Sequence, residues 1–308
     1  MRVLTHMHTL NDEAVIEQLL EGLRRQTRPP DGIIIVDNGS SDATLNRTFP
    51  KNVTVVRNSA NLGTNGAIRI GLAHAEEHGF DWAWLFDADS VPEPDALENL
   101  LGFFERLPHS ERERVCFLAC RLMNAEGEIR HRPMIFTDSS LEYAPVEDDA
   151  ASTSCDCFIW TGALFRMPAV AKIGLPSADY VLDIGEIEYG YRARQLGFAS
   201  YMVHSGITHQ DVGRPPGVVV TRSWNVGRFR LAFREVSAIR TYYISRNLLY
   251  FWMHQCRPIR PRRVVHSIAY VLAFAANFAL RPVSHRRQLI ASLRGIWDGL
   301  TQHMERRF

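Results

Sequence analysis

Residues 84–90 read Trp-Leu-Phe-Asp-Ala-Asp-Ser, an apolar run that stops at Asp87-Ala88-Asp89. Two carboxylates one residue apart at the end of a buried strand are costly unless something positive faces them. A divalent cation carrying a diphosphate meets that need. Hard carboxylate oxygens suit Mg2+ or Mn2+, and the metal takes up charge on a departing phosphate. Ligands of open α/β sheets bind beyond the carboxyl ends of the strands, which is where this pair would stand. The plain alternative is an acidic surface turn.

Four further clusters bear on chemistry. Asp37-Asn38-Gly39-Ser40-Ser41-Asp42 follows the run Ile33-Ile34-Ile35-Val36. Asp, Asn and Gly favour a tight turn at a strand end. Asp37, as an acceptor-only carboxylate, could also take the imide N–H of a uracil or thymine ring. Asn61-Leu62-Gly63-Thr64-Asn65-Gly66 sets two glycines ahead of a helix, where backbone can approach an anion, although the spacing departs from a dinucleotide fingerprint. Asp183-Ile184-Gly185-Glu186-Ile187-Glu188 opens a helix whose dipole favours acids. Glu188 and Arg192 stand at i,i+4 and suit an ion pair, which leaves Glu186 or Asp183 as a general base. His204 and His209, followed by Asp211, fall beyond a strand expected at 199–203 and suit either a structural role or metal ligation.

These residues need a scaffold, and the pattern supplies one. A short strand is expected at 2–5. A helix follows, capped by Asn11 or Asp12, with Val15, Ile16, Leu19, Leu20 and Leu23 on one face. Pro29-Pro30-Asp31-Gly32 is a turn. Strands are expected at 33–36 and 53–56, a helix at 67–77, and then the strand ending at Asp87. This β-α-β-β-α-β opening predicts an open, mostly parallel sheet with right-handed crossovers. A helix at 92–105, a strand at 115–122, a turn at 124–127, strand character over 157–166 and a helix at 183–196 continue it. Residues 136–154, with Glu147-Asp148-Asp149, and residues 210–240, rich in Arg, Gly and Pro, lack regular pattern. An aromatic helix over 242–252 leads into a basic helical tail.

With 308 residues, 46% hydrophobic and 22% charged, the chain suits one large α/β domain with an extension. The net charge of +1 excludes a whole-molecule polyanion binder, but residues 254–308 carry +8, so residues 1–253 carry −7. A basic tail behind an acidic body suits an anionic surface. Arg257, Arg260, Arg262 and Arg263 precede the apolar run 268–280, and Arg286, Arg287 and Arg294 follow it. Such a helix suits the surface of an anionic membrane, or packing on the catalytic domain or across a homodimer. That run has 13 residues and contains Asn277, too short for a span. Cys116, Cys120, Cys155, Cys157 and Cys256 form no zinc or disulfide pattern. An odd cysteine count and the absence of a signal peptide lead us to expect the cytoplasm, with contact at the inner face of the cell membrane.

Taken in order, these segments resemble the inverting glycosyltransferases of family 2, whose nucleotide-sugar-binding fold is called GT-A. The matching parts are Val36 to Asp42, Asn61-x-Gly63, Phe86 to Asp89, Thr161-Gly162, and Glu186 to Arg192 followed by Gly197. Tyr242-Tyr243-x-x-Arg246-Asn247 and the basic tail are similar to bacterial rhamnosyl- and galactofuranosyl-transferases that build surface polysaccharide. The resemblance implies an α/β GT-A domain over residues 1–255 and a helical extension over 256–308. Residues 1–120 would bind the nucleotide sugar and 121–255 the acceptor. It implies donor contacts from Thr5, Asp37, Asn38, Asn61, Gly63 and Asp87, with UDP or dTDP as the nucleotide. Asp89, Asp87 and His209 would hold Mn2+ or Mg2+. Trp160, Thr161 and Gly162 would face a glycan or lipid-linked acceptor, and Glu186 would be the base. Two departures stand out. Glu186 replaces the aspartate usual at the base position, which keeps Asp183 as a rival, and the N-terminal strand reads Thr5-His6-Met7 where members often have Thr-Tyr-Asn. Two rivals remain: a sugar-phosphate nucleotidyltransferase, whose glycine-rich basic loop is missing from residues 5–13, and a non-catalytic nucleotide-sugar-binding protein.

Overall fold

The computed structural model describes the chain except for residues 125, 138–140, 148, 213–221, 227–228, 234–235, 280–284 and 306–308; for 222–226 and 229–233 only the backbone is described. Asp148, part of the irregular stretch 210–240 and Leu280 of the apolar run therefore lie outside the described residues. The chain divides into two compact units. One comprises residues 1–136, 141–178 and 189–216, the other 137–140, 179–188 and 217–308. One of the breaks between them, at 188/189, falls within the helix Gly185–Gln195.

The first unit is built on a mixed sheet. Its strands run, in spatial order, Val53–Arg57, Gly32–Asp37, Val3–Thr9, Trp82–Asp87, Ala163–Arg166, Val115–Met123, Ala199–His209 and Val91–Pro92, with Ser152–Cys155 paired to Ala199–His209. The first four are mutually parallel, and Ala163–Arg166 runs antiparallel to both its neighbours. Alternation along the strands sorts the core into two layers. Leu4, Ile34, Val36, Ala83 and Leu85 pack on one face with Ala67, Ile68 and Leu72 of the helix Gly63–Glu77. Val3, Met7, Ile33, Ile35, Trp84 and Phe86 pack on the other with Ile16, Leu19 and Leu23 of Ile16–Arg24, and with Leu97 and Leu100 of Ala96–Arg106. Burial on both faces explains why Gly32–Asp37 is apolar without alternation.

Some expected boundaries shift. The N-terminal strand runs on to Thr9, so Thr5 lies inside the sheet and is fully buried. The helix Ile16–Arg24 has no side-chain cap. Asp12 instead accepts from Thr9 Oγ1 (3.0 Å) and Leu10 N (2.9 Å), while its carbonyl receives Val15 N and Ile16 N. The helix expected from 67 begins at Gly63, and the one expected from 92 begins at Ala96, because Val91–Pro92 joins the sheet. Strand structure over 157–166 is confined to Ala163–Arg166. Residues 199–209 form one strand, so His204 and His209 lie in it and not beyond it. All five cysteines are free and buried.

In the second unit the helix Ala238–Tyr250, continued by a π turn over Phe251–Gln255, packs against Arg286–Leu300. Pro261–Ala279 is the third helix of this bundle. Close approach is made by glycine: a Cβ on Gly295 would lie 2.4 Å from Tyr242 O, and one on Gly299 2.6 Å from Arg246 O. Tyr242 Oη donates to Asp298 (2.7 Å), and the Ser245 and Ser292 hydroxyls are 3.1 Å apart.

Candidate active site

The strand order fixes where a ligand can sit. The chain steps outward from Val3–Thr9 through Gly32–Asp37 to Val53–Arg57, then returns to lay Trp82–Asp87 on the other side of Val3–Thr9. Between those two strands the order reverses, and open α/β sheets bind their ligands beyond the carboxyl ends of the strands at such a point. The parallel register sets His8 opposite Asp87 there. His8 Nε2 lies 3.1 Å from Asp87 Oδ1, with side-chain exposures of 15% and 36%. Burial pushes the His8 pKa down, but its hydrogen bond to Asp87 and the charges of Asp87, Asp12 and Asp89 outweigh that, and the net shift is upward. The site is thus strongly negative. Asp87 N donates to Thr161 Oγ1 (3.1 Å), and Gly162 N to Leu85 O (2.7 Å). Gly162 adopts φ +73°, and a Cβ there would stand 2.8 Å from Thr208 Oγ1. Thr161 and Gly162 therefore seat the end of the strand that bears Asp87. Trp160 is buried, edge-on to Phe165 and Tyr189.

The loops that follow the first two strands interlock. Asn11 N donates to Ser40 Oγ (2.9 Å), Ser41 N to Asn11 Oδ1 (2.8 Å), and Asp12 N to Thr44 Oγ1 (2.8 Å). Asp37 is fully buried and accepts from Ser40 N, with Arg57 Nε at 3.5 Å, so its carboxylate closes the turn. Asn38 Oδ1 accepts from Asn58 Nδ2 (3.0 Å) and Leu62 N (3.2 Å), and Asn38 Nδ2 donates to Gly63 O (3.3 Å). Asn61 Oδ1 caps Gly63 N (2.8 Å) at the start of its helix. Asp37, Asn38, Asn61 and Gly63, scattered in sequence, are thereby joined on the rim of one sheet edge.

His209 is engaged with Glu93. Its Nε2 is 2.6 Å from Glu93 Oε1, and it lines a groove of about 490 Å3 with Glu17, Glu21 and Pro92. His204 meets Thr153 Oγ1 at 2.8 Å. Among the described residues no three His, Cys, Asp or Glu side chains converge as a metal site.

The second unit holds the two candidate bases. Asp183 and Ile184 both have positive φ, 58° and 66°. For a β-branched residue that region is a true outlier, at roughly 1–3 kcal/mol of strain per residue. Side chains of Ala238–Tyr250 hold the turn in place. Arg240 grips Asp183 with two bonds, Nη2–Oδ1 at 2.8 Å and Nε–Oδ2 at 3.0 Å. Asn247 Nδ2 donates to Leu182 O (2.7 Å) and Asp183 O (3.1 Å). Arg246, fully buried, donates to Asp179 O, Met304 O, Glu305 O and Asn247 Oδ1, and its guanidinium lies 4.8 Å from the Tyr243 ring centre. Glu186, half-buried, follows in the first turn of Gly185–Gln195, and Glu188 is 5% exposed.

Sequence reasoning missed His8, Arg240 and the role of Asn247. His8 had a signal: once both strands are drawn at full length, the parallel register pairs it with Asp87. Arg240 had none, because it lies 57 residues from its partner.

The mixed sheet, with an acidic pair where its strand order reverses, is the α/β architecture of the GT-A fold, as the solved structures below share it. Residues 6–174 match the family model for Glycosyl transferase family 2, and the chain belongs to that family. It is 30% identical over 207 residues to the galactofuranosyltransferase GlfT1 of Mycobacterium tuberculosis (strain ATCC 25618 / H37Rv), a match covering 63% of this chain and 64% of that protein. The chain thus spans just under two thirds of the length of these curated relatives. The fold is shared with S. aureus TarS 1-349 in complex with UDP-GlcNAc (TM-score 0.56, 15% identity, 99% of this chain and 83% of that one). It is shared too with the mannosyltransferase PcManGT of Pyrobaculum calidifontis in complex with GDP-Man and Mn2+ (TM-score 0.55, 15% identity, 98% and 87%).

Proposed function

We propose that this chain is a metal-dependent inverting glycosyltransferase that moves a sugar from a UDP- or dTDP-linked donor to a hydroxyl of a glycan or lipid-linked acceptor in bacterial surface polysaccharide synthesis. The observation that carries it is the pair Asp87 and Asp89 at the switch point of the sheet, with Asp87 Oδ1 3.1 Å from His8 Nε2. Their hard oxygens fit Mg2+ or Mn2+. When bound, such an ion neutralises charge on the diphosphate leaving group. The names of the curated relatives favour galactofuranose as the sugar, with rhamnose as the second choice.

The chain's own residues then divide the work. Asp37, Asn38, Asn61 and Gly63 frame the nucleotide edge, with Asp37 turned to a pyrimidine ring once Ser40 yields it. Thr5 supports that edge from within the sheet. Thr161 and Gly162, with Trp160 behind them, act on the acceptor side and through the position of Asp87. Asp183 is committed to Arg240 and held in a strained turn, so Glu186 is assigned the base. It takes a proton from the acceptor hydroxyl, that oxygen forms the new bond to the anomeric carbon, and the bond to the diphosphate oxygen breaks with inversion. His209 is paired with Glu93 and would become a metal ligand only by leaving it. No described helix is long and apolar enough to cross a membrane, and contact with an anionic membrane through the C-terminal basic helices would bring the enzyme to a lipid-linked acceptor.

Donor binding by thermal shift tests this reading, with and without Mn2+, across UDP-galactofuranose, UDP-glucose, dTDP-rhamnose, GDP-mannose and CTP. A Mn2+-dependent shift with one diphospho-sugar, weakened in Asp89→Asn, is the expected result. A shift with CTP alone would assign a nucleotidyltransferase instead.

A further inference from the structure

We propose that the outward face of the helix Arg286–Leu300 is the docking surface for an anionic lipid bilayer. This names the face that the peripheral contact would use, and it differs from the one the sequence suggests. In the apolar run 268–280, Val271, Phe274, Ala275 and Phe278 are buried, which leaves Leu272, exposed by 53%, as its large outward apolar side chain among the described residues. The next helix is inside out. Its inward face is small or polar (Ala291, Ser292, Gly295, Asp298 and Gly299 are buried), and Gly295 and Gly299 lie directly against Ala238–Tyr250. Its outward face carries Ile290, Leu293, Trp297 and Leu300, exposed by 64%, 52%, 64% and 39%. Spacings of three, four and three residues align them in one stripe. A stripe of large apolar side chains facing water marks an interaction surface.

Charge selects the occupant. The exposed charges on this helix are Arg286, Arg287 and Arg294, and its single acid, Asp298, is buried and bonded to Tyr242. A cation-flanked apolar stripe with a tryptophan fits a bilayer on two counts. Arginines meet anionic headgroups, while the indole and aliphatic groups enter the acyl boundary. A second copy of the same face is the poorer partner, because an isologous pair would set these arginines against one another.

The test is flotation of the full chain with vesicles of phosphatidylcholine alone and of equimolar phosphatidylcholine and phosphatidylglycerol. The chain should float with the anionic vesicles and stay in the dense fraction with neutral ones. Leu293→Glu with Trp297→Glu should lower partitioning by at least about tenfold. Neutralising Arg286, Arg287 and Arg294 to Gln should lower it by roughly fivefold per arginine and abolish the preference for phosphatidylglycerol. Val265→Glu with Leu272→Glu, on the preceding helix, should leave flotation unchanged. All these side chains are exposed, so melting temperature and donor-induced shift should be retained, and flotation is read without turnover, independently of the transferase reading. The proposal is overturned if the wild-type chain floats with neither vesicle, or if the Leu293/Trp297 variant floats like wild type. It is equally overturned if the Val265/Leu272 pair proves to be the sensitive one. A dimer in sedimentation velocity that the Leu293/Trp297 variant dissolves would assign the face to a second copy instead.

Discussion

The two units hold their carboxylates by different physics. In the first, Asp87 and Asp89 stand where a buried strand runs out, and the neighbouring strand offers His8 in register. The backbone is regular up to the site, so position follows from strand pairing. In the second, Asp183 and Glu186 follow a turn that its own residues disfavour, with two consecutive left-handed residues, one of them isoleucine. Arg240 and Asn247 hold that turn from a helix more than fifty residues further along the chain, and Arg246 of the same helix binds the Asp179 carbonyl before it. A strand-end site is specified locally and tuned by charge. A latched turn is specified at long range and weakened when one of its bonds is removed. Sites built the second way should therefore be the more sensitive to substitutions that never touch substrate.

The largest effect should come from the base. Glu186→Gln keeps shape and should lower turnover by roughly 10²–10⁴-fold while leaving the donor-induced thermal shift intact. Asp183→Asn should cost stability more than chemistry, because it weakens the grip of Arg240 on the turn. If Asp183→Asn abolishes turnover in a protein with unchanged melting temperature and Glu186→Gln does not, the two carboxylates exchange roles.

Arg246→Met comes next. It preserves length but strips donors from the Asp179, Met304 and Glu305 carbonyls. At about 1.5–3 kcal/mol for each part-buried hydrogen bond from a charged donor, urea denaturation should register a loss of roughly 3 kcal/mol or more. A loss below about 1 kcal/mol would show that the turn does not depend on this anchor.

In the first unit, Gly71 faces His6: a Cβ there would lie 2.2 Å from His6 Nδ1. Gly71→Ala should cost roughly 1–3 kcal/mol through overpacking, and a silent variant would mean the helix can slide over the strand.

The smallest effect is a pH dependence. His6 is fully buried with no partner for either ring nitrogen, and burial, then the charge of His8, holds its pKa well below 6.5. Above about pH 7.5 the imidazole is neutral in both states and contributes no slope. As pH falls below that value, the unfolded chain takes up a proton that the folded chain refuses, and stability drops. The slope is bounded by about 1.4 kcal/mol per pH unit. His6→Leu removes this penalty. Its stability relative to wild type should rise between about pH 7.5 and about pH 5.5 in urea melts. Parallel behaviour of the two proteins would refute the assignment.

Much of the first unit was legible in the residues. Ile33-Ile34-Ile35-Val36 and Trp84-Leu85-Phe86 announce strands buried on both faces, and the acids that end them announce the crevice. What escaped was strand length: with the first strand taken as 2–5, Thr5 passed for a strand-end residue and His8 went unremarked. His209, expected beyond a strand, lies inside one and is paired with Glu93. In the second unit the motif Arg246-Asn247 was visible, but its task was not.

The sequence by itself determined the family, the parallel opening of the sheet and the acidic pair at its edge, because alternation, apolar runs and turn residues are local and repeat with the period of the backbone. Only the tertiary structure decided that Asp183 belongs to Arg240, that Arg246 anchors the carbonyls of Asp179, Met304 and Glu305, and that the last helix turns Ile290, Leu293, Trp297 and Leu300 outward in one stripe. Those outcomes depend on which side chains meet across long stretches of chain. Helix hydrophobicity does not reveal them, since a helix of small residues can be drawn inward by close backbone packing while its larger side chains remain in water.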